Sequence, residues 1–282
     1  MFTLNIRGRL VTFDRPAVMG ILNVTPDSFF SGSRAMSAYD IERRVETMLT
    51  QGVDIIDIGA CSTRPGADPV SDDEETTRLS RGMEIVRRLA PDIPVSVDTF
   101  RASVARRAVT TMGCDIVNDI SGGTLDDNMV ATVADLHCPY ILMHMRGTPA
   151  TMQTLTEYGD DVTATVISEL QRQVRCFEQA GVADIIIDPG FGFAKTVDQN
   201  YAVMAGLRRF AIFGRPVLVG ISRKSMITKA LSIRADEALE ATTALNAYAL
   251  DRGADILRVH DVAAARQAVD IHVRIASASS DR

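Results

Sequence analysis

Short apolar runs alternate with longer amphipathic segments along almost the whole chain. Eight of these runs are too short for buried helices, are bounded by turn residues, and stop at a polar residue, as buried strands do. We interpret them as strands at 16–23, 53–59, 94–98, 114–118, 139–144, 184–188, 216–222 and 254–258.

The segments between the runs carry apolar residues at helical spacing. One predicted helix has Ile41, Val45 and Met48 on a single face and ends at Gly52. Others are predicted before Pro91, over 101–112, from about 162 to Gly181, and over a final stretch that contains residues 262–273.

The predicted strands begin in two regular ways. The odd-numbered strands follow Pro16, Pro94, Pro139 and Pro216, and proline suits the first residue of a strand. The even-numbered strands follow a glycine, one or two small residues, and then Asp-Ile; the glycines are Gly52, Gly113, Gly181 and Gly253. Glycine at these places suits a left-handed end to the preceding helix.

Eight strand-then-helix units predict a single (β/α)₈ TIM barrel over residues 1–282. A doubly wound open sheet is the competing fold, but it usually has a glycine-rich G-x-G-x-x-G turn after its first strand, and this chain has none there. Alternation over 3–13 predicts a small β-hairpin ahead of the barrel, and the tail at 276–282 is expected to be disordered.

Composition excludes several classes of protein. The 282 residues are 46% hydrophobic with a net charge of -6, and the basic residues are scattered, which argues against nucleic-acid binding. We find no membrane-spanning run and no signal peptide, and therefore expect a cytoplasmic protein. The four cysteines lie far apart without a C-x-x-C motif, so we expect free thiols and no zinc site.

In a TIM barrel, the carboxyl ends of the strands and the loops after them form the active site. Every predicted strand here ends in a polar group: Asn23, Asp57, Asp98, Asn118, His144, Asp188, Ser222 with Lys224, and Arg258 with His260. Acids and amides directly after apolar residues are costly to bury unpaired. We therefore expect Asp98, Asn118 and Asp188 to bind a flat, polar ligand with several donors and acceptors.

A second set of residues suits an anion. Arg64, Arg223 with Lys224, and Arg258 with His260 would lie at the barrel mouth, where fork-shaped donors match phosphate oxygens. The glycine-rich stretch 188–195 contains two phenylalanines, and it is either an ordinary turn or a lid that stacks on an aromatic substrate.

Seven segments in order resemble the signatures of the dihydropteroate synthase family. They are MGILNVTPDSF at 19–29, STRPG at 62–66, VDT at 97–99, NDISG at 118–122, DPGFGF at 188–193, SRKS at 222–225 and RVHDV at 258–262. One segment alone would be a weak signal, whereas seven in the same order are specific.

The resemblance implies an enzyme that joins 6-hydroxymethyl-7,8-dihydropterin pyrophosphate to p-aminobenzoate and releases pyrophosphate. It implies that the pterin lies deep in the barrel against Asp98, Asn118, Met143, Asp188, Gly220 and Lys224. It further implies that Mg²⁺, with Asn23 as its protein ligand, neutralises the leaving pyrophosphate together with Arg64, Arg258 and His260.

The resemblance places the p-aminobenzoate ring against Phe29, Thr63, Pro65 and Phe193, and its carboxylate at Ser222 and the adjacent helix start. Sulfonamides would compete for this place. Members of the family are homodimers, and segments 241–250 and 262–273 have enough small apolar residues to pack together, although that surface could equally face the barrel.

The chain departs from the family pattern twice. Phe30-Ser-Gly-Ser33 replaces the usual Ser-Asp-Gly-Gly, which leaves open whether Phe29 or Phe30 faces p-aminobenzoate. Cys61 stands where glutamate is common, and we assign it no catalytic role.

Three other functions are alternatives to a dihydropteroate synthase. A methyltetrahydrofolate-binding methyltransferase domain shares the barrel but lacks the STRPG loop and has no pyrophosphate to bind. A non-catalytic pterin-binding paralogue would lose loop residues that are present here. A Schiff-base aldolase would need Lys224 to be desolvated with a lowered pKa, helped by Arg223.

Overall fold

The computed structural model describes residues 1–25, 37–61 and 70–280. The strands in these ranges are β1 (Phe2–Ile6), β2 (Arg9–Phe13), β3 (Ala17–Asn23), β4 (Ile55–Gly59), β5 (Val95–Asp98), β6 (Ile116–Asp119), β7 (Tyr140–Met143), β8 (Ile185–Asp188), β9 (Leu218–Val219) and β10 (Ile256–Val259). The α-helices are α1 (Ala38–Thr50), α2 (Asp72–Leu89), α3 (Ala102–Thr111), α4 (Met129–Leu136), α5 (Val162–Gln179), α6 (Val197–Ala205), α7 (Ser225–Leu231), α8 (Leu239–Asp251) and α9 (Val262–Ser280).

Strands β3 to β10 form the predicted (β/α)₈ barrel. They are parallel neighbours in the order β8-β7-β6-β5-β4-β3-β10-β9. A parallel bridge between Ile187 and Val217 joins β8 to the start of β9 and closes the ring. The open doubly wound sheet is therefore excluded.

The predicted hairpin closes the amino-terminal end of the barrel. β1 and β2 pair in antiparallel register, with Leu4 opposite Val11. Leu4 and Ile6 pack against the innermost apolar side chains of the barrel strands, which are Ala17, Met19, Ile55, Ile116, Ile141, Ile186, Leu218 and Ile256. Because one end is filled with apolar side chains, a polar ligand can enter only at the other end.

The glycine and aspartate repeats have a structural cause. All four glycines of the repeat adopt the left-handed conformation predicted for them, with φ of 81°, 77°, 96° and 92° at Gly52, Gly113, Gly181 and Gly253. The aspartate that follows each one accepts a backbone N–H at 2.7–2.9 Å. Asp54, Asp115 and Asp255 accept from the starts of neighbouring barrel strands, at Val18, Val95 and Val217. Asp184 accepts from Asn5 in the hairpin strand β1. Each carboxylate thus satisfies a donor at the amino-terminal rim that would otherwise lack a partner.

Two expectations about the elements need correction. The seventh predicted barrel strand, 216–222, is regular only over Leu218–Val219 as β9, since residues 221–224 enter a turn in which Lys224 N–H bonds the Ile221 carbonyl. The tail predicted to be disordered from 276 instead continues α9 as far as Ser280. In addition, the helices α4, α6 and α7 were not delimited from the sequence.

The helices pack their apolar faces on the outside of the barrel. In α9, Val262, Ala265 and Val269 are buried. The small apolar residues noticed in the last segment are therefore largely barrel-facing core. In the parts of the chain that the structure describes, no helix combines the length and apolar character needed to cross a membrane.

Candidate active site

The inward-facing side chains at the carboxyl ends of the strands are mostly polar. Successive side chains on a strand point to opposite faces. Ile55 belongs to the innermost apolar cluster, so Asp57, two residues later on β4, points the same way. The same step of two holds on three other strands, from Ile116 to Asn118, from Ile186 to Asp188, and from Ile256 to Arg258.

Arg258 lies between two carboxylates at the centre of this group. Its Nε donates to Asp57 Oδ2 at 2.7 Å and its Nη2 donates to Asp98 Oδ2 at 2.7 Å. Asn118 Nδ2 lies 3.3 Å from each carboxylate oxygen of Asp57. Burial lowers the pKa of Arg258, but Asp57 and Asp98 more than offset this effect and hold the pKa above its usual value. The guanidinium therefore keeps its charge and orients both acids.

Asp98 is a weakly acidic carboxyl at the centre of this group. Burial raises its pKa to about 7, and the nearby Asp57 and Glu75 add to the shift, while Arg258 opposes it. Near neutral pH, Asp98 can therefore exist either as a carboxylate that accepts hydrogen bonds or as a carboxylic acid that donates one.

Asp188 and Lys224 form an oppositely charged pair of groups beside the segment 189–195. Burial raises the pKa of Asp188, and Lys224 and the N–H of Gly190 oppose this shift; that N–H donates to Asp188 Oδ1 at 2.8 Å. Lys224 Nζ donates to the Phe191 carbonyl at 2.7 Å and lies 4.8 Å from the centroid of the Phe193 ring. Burial and Arg258 lower the pKa of Lys224 to about 8, against the opposing effect of Asp188.

His260 and Ser222 lie next to one another on the rim. His260 Nδ1 is 3.0 Å from Ser222 Oγ, and the His260 backbone N–H donates to the same oxygen at 3.2 Å. Burial, Arg258 and Arg223 lower the pKa of His260 to about 4, so the ring is neutral at pH 7. Arg223, which the sequence suggested as an anion ligand, donates to both carboxylate oxygens of Asp261, at 3.0 and 2.6 Å, and so forms an ion pair in this structure.

Asn23 ends β3 beside a glycine that leaves it space. A Cβ added to Gly59 would lie 3.4 Å from Asn23 Oδ1 and 3.6 Å from the Cβ of Asp98. Glycine at this place therefore lets the Asn23 amide and the Asp98 carboxyl face one space. Among the described residues, no three or more His, Cys, Asp or Glu side chains are grouped so as to hold a metal ion.

Met143 and Gly220 lie near other residues of the predicted site. Met143 is buried in an apolar cluster with Ala194, and Phe193 packs against this cluster. A Cβ on Gly220 would lie 3.8 Å from the Cβ of Arg258, so the glycine is a neighbour of that arginine. Four other predicted site residues lie outside the described ranges: Phe29, Thr63, Arg64 and Pro65.

His144 does not belong with the other strand ends. Because Met143 points inward, its neighbour His144 points outward, where its Nε2 lies 2.9 Å from Glu169 on α5. Asp119 faces outward in the same way after Asn118, and it accepts hydrogen bonds from Ser121, Gly123 and Tyr140 that shape the following loop. Because successive side chains on a strand face opposite sides, the sequence could have predicted that His144 and Asp119 point away from the site.

Two residues beside the site received no specific role from the sequence. Asp57 was named only as a polar strand end, although its inward-facing position on β4, two residues after Ile55, is a usable signal. Lys195 ends the segment 189–195 with its side chain only 4% exposed, and a lysine after a glycine-rich turn does not by itself predict burial.

Lys224 does meet one requirement of a Schiff-base lysine, which is a lowered pKa. The positive charge that lowers this pKa belongs to Arg258, and not to Arg223 as expected. The Nζ–Phe191 carbonyl contact and the nearby Asp188 suit a lysine that donates hydrogen bonds to a polar ligand.

Comparison with known proteins gives one consistent family. Residues 19–260 match the family described as pterin binding enzyme. A dihydropteroate synthase from Synechocystis is 46% identical over 90% of this chain and 88% of its own length. The Escherichia coli dihydropteroate synthase is 41% identical over 91% of this chain and 90% of its own length.

Solved structures agree over almost the full chain. A Yersinia pestis dihydropteroate synthase in a sulfonamide drug complex superposes with a TM-score of 0.90 at 36% identity, covering 98% of this chain and 100% of that one. A Burkholderia cenocepacia dihydropteroate synthase complexed with 7,8-dihydropteroate has a TM-score of 0.87 at 40% identity, covering 99% and 98%.

Proposed function

The chain belongs to the dihydropteroate synthase family of pterin-binding enzymes, which are transferases, and on that premise we propose its reaction in detail. It condenses 6-hydroxymethyl-7,8-dihydropterin pyrophosphate with p-aminobenzoate, giving 7,8-dihydropteroate and pyrophosphate. The observation that carries the proposal is the convergence of Asp57, Asp98, Asn118, Asp188, Lys224 and Arg258 at the open end of the barrel.

A pterin matches the donors and acceptors of this group. Its amino group and ring N–H are donors, for which the buried carboxylate of Asp188 is the acceptor, while its carbonyl and ring nitrogens are acceptors for Lys224 and Asn118. Asp98 can bind a donor as a carboxylate or an acceptor as a carboxylic acid, because its pKa of about 7 makes both protonation states accessible. Hydrogen bonds to charged groups in a buried site would fix the ring in one orientation.

The reaction needs positioning and charge stabilisation more than a protein nucleophile. The bond between the pterin methylene carbon and the pyrophosphate oxygen breaks, and the electron pair leaves with pyrophosphate. The lone pair of the arylamine then forms the new C–N bond, and the nitrogen loses a proton. Arg258 has Nε and Nη2 bound to Asp57 and Asp98, so its Nη1 is the group we assign to the departing anion, with His260 beside it.

The second substrate would lie against Phe193 and Ser222. The Phe193 ring packs on the Met143 cluster and faces Lys224, which gives an apolar wall next to the pterin groups. Ser222 Oγ can donate its proton to the carboxylate of p-aminobenzoate while accepting from the His260 backbone N–H. Phe29, Thr63 and Pro65 remain predicted contacts. Sulfonamides, one of which is bound in the Yersinia structure, would compete for this place.

Mg²⁺ is the cofactor we propose, and the residues present fit it. It prefers oxygen ligands and commonly keeps few protein ligands together with waters and substrate phosphates. The Asn23 amide oxygen is such a ligand, and it faces the same space as Asp98. When bound, the ion would supply positive charge to the leaving pyrophosphate.

The proposal is tested by pyrophosphate release from the pterin substrate, with and without p-aminobenzoate and with and without Mg²⁺. We expect release that needs Mg²⁺ and yields dihydropteroate. Arg258→Ala and Asp188→Asn should each lower kcat/KM by about a hundredfold or more. Asp270→Asn, which alters a pair with Arg15 and a longer contact of 4.0 Å with Arg266, is the control. No turnover by the wild type, with pterin still bound, would support the pterin-binding paralogue or the methyltransferase domain instead.

We also propose a homodimer that uses the outer face of α8 and α9. Tyr248 and Ile271 are 37% and 60% exposed there, whereas the inner face of α9 is covered by the barrel. Light scattering should give twice the chain mass, and Ile271→Glu should reduce it to one chain. A monomeric wild-type protein would contradict this part of the proposal.

A further inference from the structure

Two of the three lysines in the chain meet at the segment 189–195. The chain has 30 lysine and arginine residues, and the lysines are Lys195, Lys224 and Lys229. Lys229 is exposed on α7. A lysine ammonium is a compact charge with three donors, unlike the flat fork of arginine. A chain that uses arginine nearly everywhere else therefore has an ammonium group on either side of one short segment.

The segment 189–195 has a backbone that depends on side-chain contacts. Gly190, Gly192 and Ala194 have φ of 71°, 82° and 50°, and the left-handed region is unfavourable for the alanine. A Cβ on Gly190 would lie 1.9 Å from the His144 carbonyl oxygen, so this backbone passes directly over the end of β7. Phe193 N–H donates to the Gly190 carbonyl at 3.2 Å, and side chains hold the backbone elsewhere.

Lys195 supplies these contacts from behind the segment. Its Nζ donates to the carbonyls of Gly190 at 3.0 Å and Phe193 at 3.2 Å, and it lies 3.0 Å from His144 Nδ1. Burial lowers the pKa of Lys195 to about 7, and in its protonated form the amine has three donors for these three acceptors. Two of the acceptors are backbone atoms of the segment itself, so one ammonium group closes it into a fixed loop.

His144 is held in turn by charged groups on α5 and in the loop before it. The Glu169 carboxylate can only accept, so the ring proton lies on Nε2, which donates to Glu169 at 2.9 Å. Nδ1 of the neutral ring is then the acceptor for Lys195. Arg146 donates to both oxygens of Glu169, and its guanidinium carbon lies 3.9 Å from the centroid of the Tyr158 ring. We call Arg146, Glu169, His144 and Lys195, which contact one another in this order, the charged row. The charged row therefore ties the segment 189–195 to the helices outside the barrel.

The front of the segment contacts the groups to which we assign the pterin. Gly190 N–H bonds Asp188, the Phe191 carbonyl accepts from Lys224, and the Phe193 ring lies against the same lysine. Any shift of the segment would change these three contacts together.

We infer that Lys195 is a positioning residue for the condensation: through the carbonyls of Gly190 and Phe193 it sets the places of Asp188, Lys224 and the Phe193 ring. Lys195 would act through these groups and not by contact with a substrate. The inference rests on the proposed function, because it concerns the same pterin and p-aminobenzoate contacts.

The test compares Lys195→Met with Lys229→Met in the full-length protein. Methionine keeps the length and packing of the lysine and removes its donors. We expect Lys195→Met to weaken the binding of pteroic acid, measured by calorimetry, by about tenfold or more and to raise KM for both substrates. Lys229→Met should leave both quantities unchanged.

Carbon-13 labelling of the lysine ε-carbons gives a readout that a general loss of stability would not produce. Three lysines give three signals, which the variants assign. In the wild type the Lys224 signal should titrate near pH 8. In folded Lys195→Met the Lys224 signal should shift and titrate elsewhere, because its bond to the Phe191 carbonyl is disturbed.

Glu169→Gln provides a second variant if Lys195→Met does not fold. Glutamine keeps a hydrogen-bond partner for His144 but removes the negative charge between Arg146 and His144. We therefore expect smaller changes in pteroic acid affinity, in KM and in the Lys224 signal than those of Lys195→Met. Turnover by the wild type tests the proposed function, whereas the comparison of the variants with the wild type tests the role of Lys195. An active wild type, together with a folded Lys195→Met or Glu169→Gln that keeps pteroic acid affinity and the Lys224 signal, would overturn the inference.

Discussion

Asp57 Oδ2 accepts a hydrogen bond from Arg258 Nε at 2.7 Å across the strand β3 that separates their own strands. The carboxylate is fully buried and also lies within hydrogen-bond distance of Asn118. One aspartate thus orients an arginine and an amide that come from opposite directions around the barrel. These contacts hold the three polar side chains in fixed places at the open end of the barrel.

Asp57→Asn should damage both folding and activity. It leaves the buried Arg258 with one fewer charge partner, and breaking a buried pair costs about 3 to 5 kcal/mol. We expect the free energy of unfolding in urea to fall by this amount. In the folded fraction, kcat/KM should fall by about tenfold or more, because the guanidinium is no longer held between two carboxylates. Unchanged turnover at full folding would mean that Asp57 serves stability alone.

Asp115→Asn provides the contrast at the amino-terminal end. Asp115 is buried, pairs with Arg7 and Arg87, and accepts the Val95 N–H at 2.8 Å. We expect a loss of stability of about 3 kcal/mol or more but an unchanged kcat when assayed well below the melting temperature, since that end of a barrel serves stability. A reduced kcat in the folded protein would contradict this division between the two ends.

Gly190→Ala should disrupt the segment 189–195. The new Cβ would lie 1.9 Å from the His144 carbonyl oxygen, so the backbone must move in addition to bearing an unfavourable φ of 71°. Gly214→Ala is the matched control, because its φ is 58° and it has no atom within 4 Å of the added Cβ. Denaturant unfolding should show a loss about 1 to 3 kcal/mol larger at Gly190 than at Gly214. Equal losses would show that the close approach relaxes without cost.

His144 should make stability depend on pH in mildly acid solution. Burial and the Lys195 charge lower its pKa from 6.5 to about 4 in the folded protein. Between these values the unfolded chain binds the extra proton, so stability is fully present above pH 6.5 and is lost as pH falls. At about 1.4 kcal/mol per unit, the wild type should lose about 2 to 3 kcal/mol relative to His144→Gln between pH 6.5 and 4.5.

Urea titrations of both proteins across that range provide the measurement. Asp98 is present in both proteins, so subtracting one free energy of unfolding from the other removes its contribution. Its raised pKa makes that contribution grow as pH falls, opposite to the effect of His144. Parallel curves for the two proteins would mean that His144 titrates normally in the native state.

The barrel and its hairpin could be predicted from the sequence because the signals are local. A proline at a strand start, a glycine that ends a helix and a period of two or 3.6 residues depend on the chain near each residue. The left-handed φ at Gly52, Gly113, Gly181 and Gly253 confirms this logic. The seven family segments likewise identified the end of the barrel that carries polar side chains.

The tertiary structure decided which polar groups pair, because pairing depends on distances between residues far apart in sequence. Arg258 was expected at the pyrophosphate alone, yet it bonds Asp57, which is 201 residues away. Arg223 was expected to bind an anion, yet Asp261 neutralises it. Lys195 had no role, and His144 was expected at the active site, until the fold placed both behind the segment 189–195. Local patterns therefore set the elements, while burial and charge pairing across the barrel determine the roles of the residues they carry.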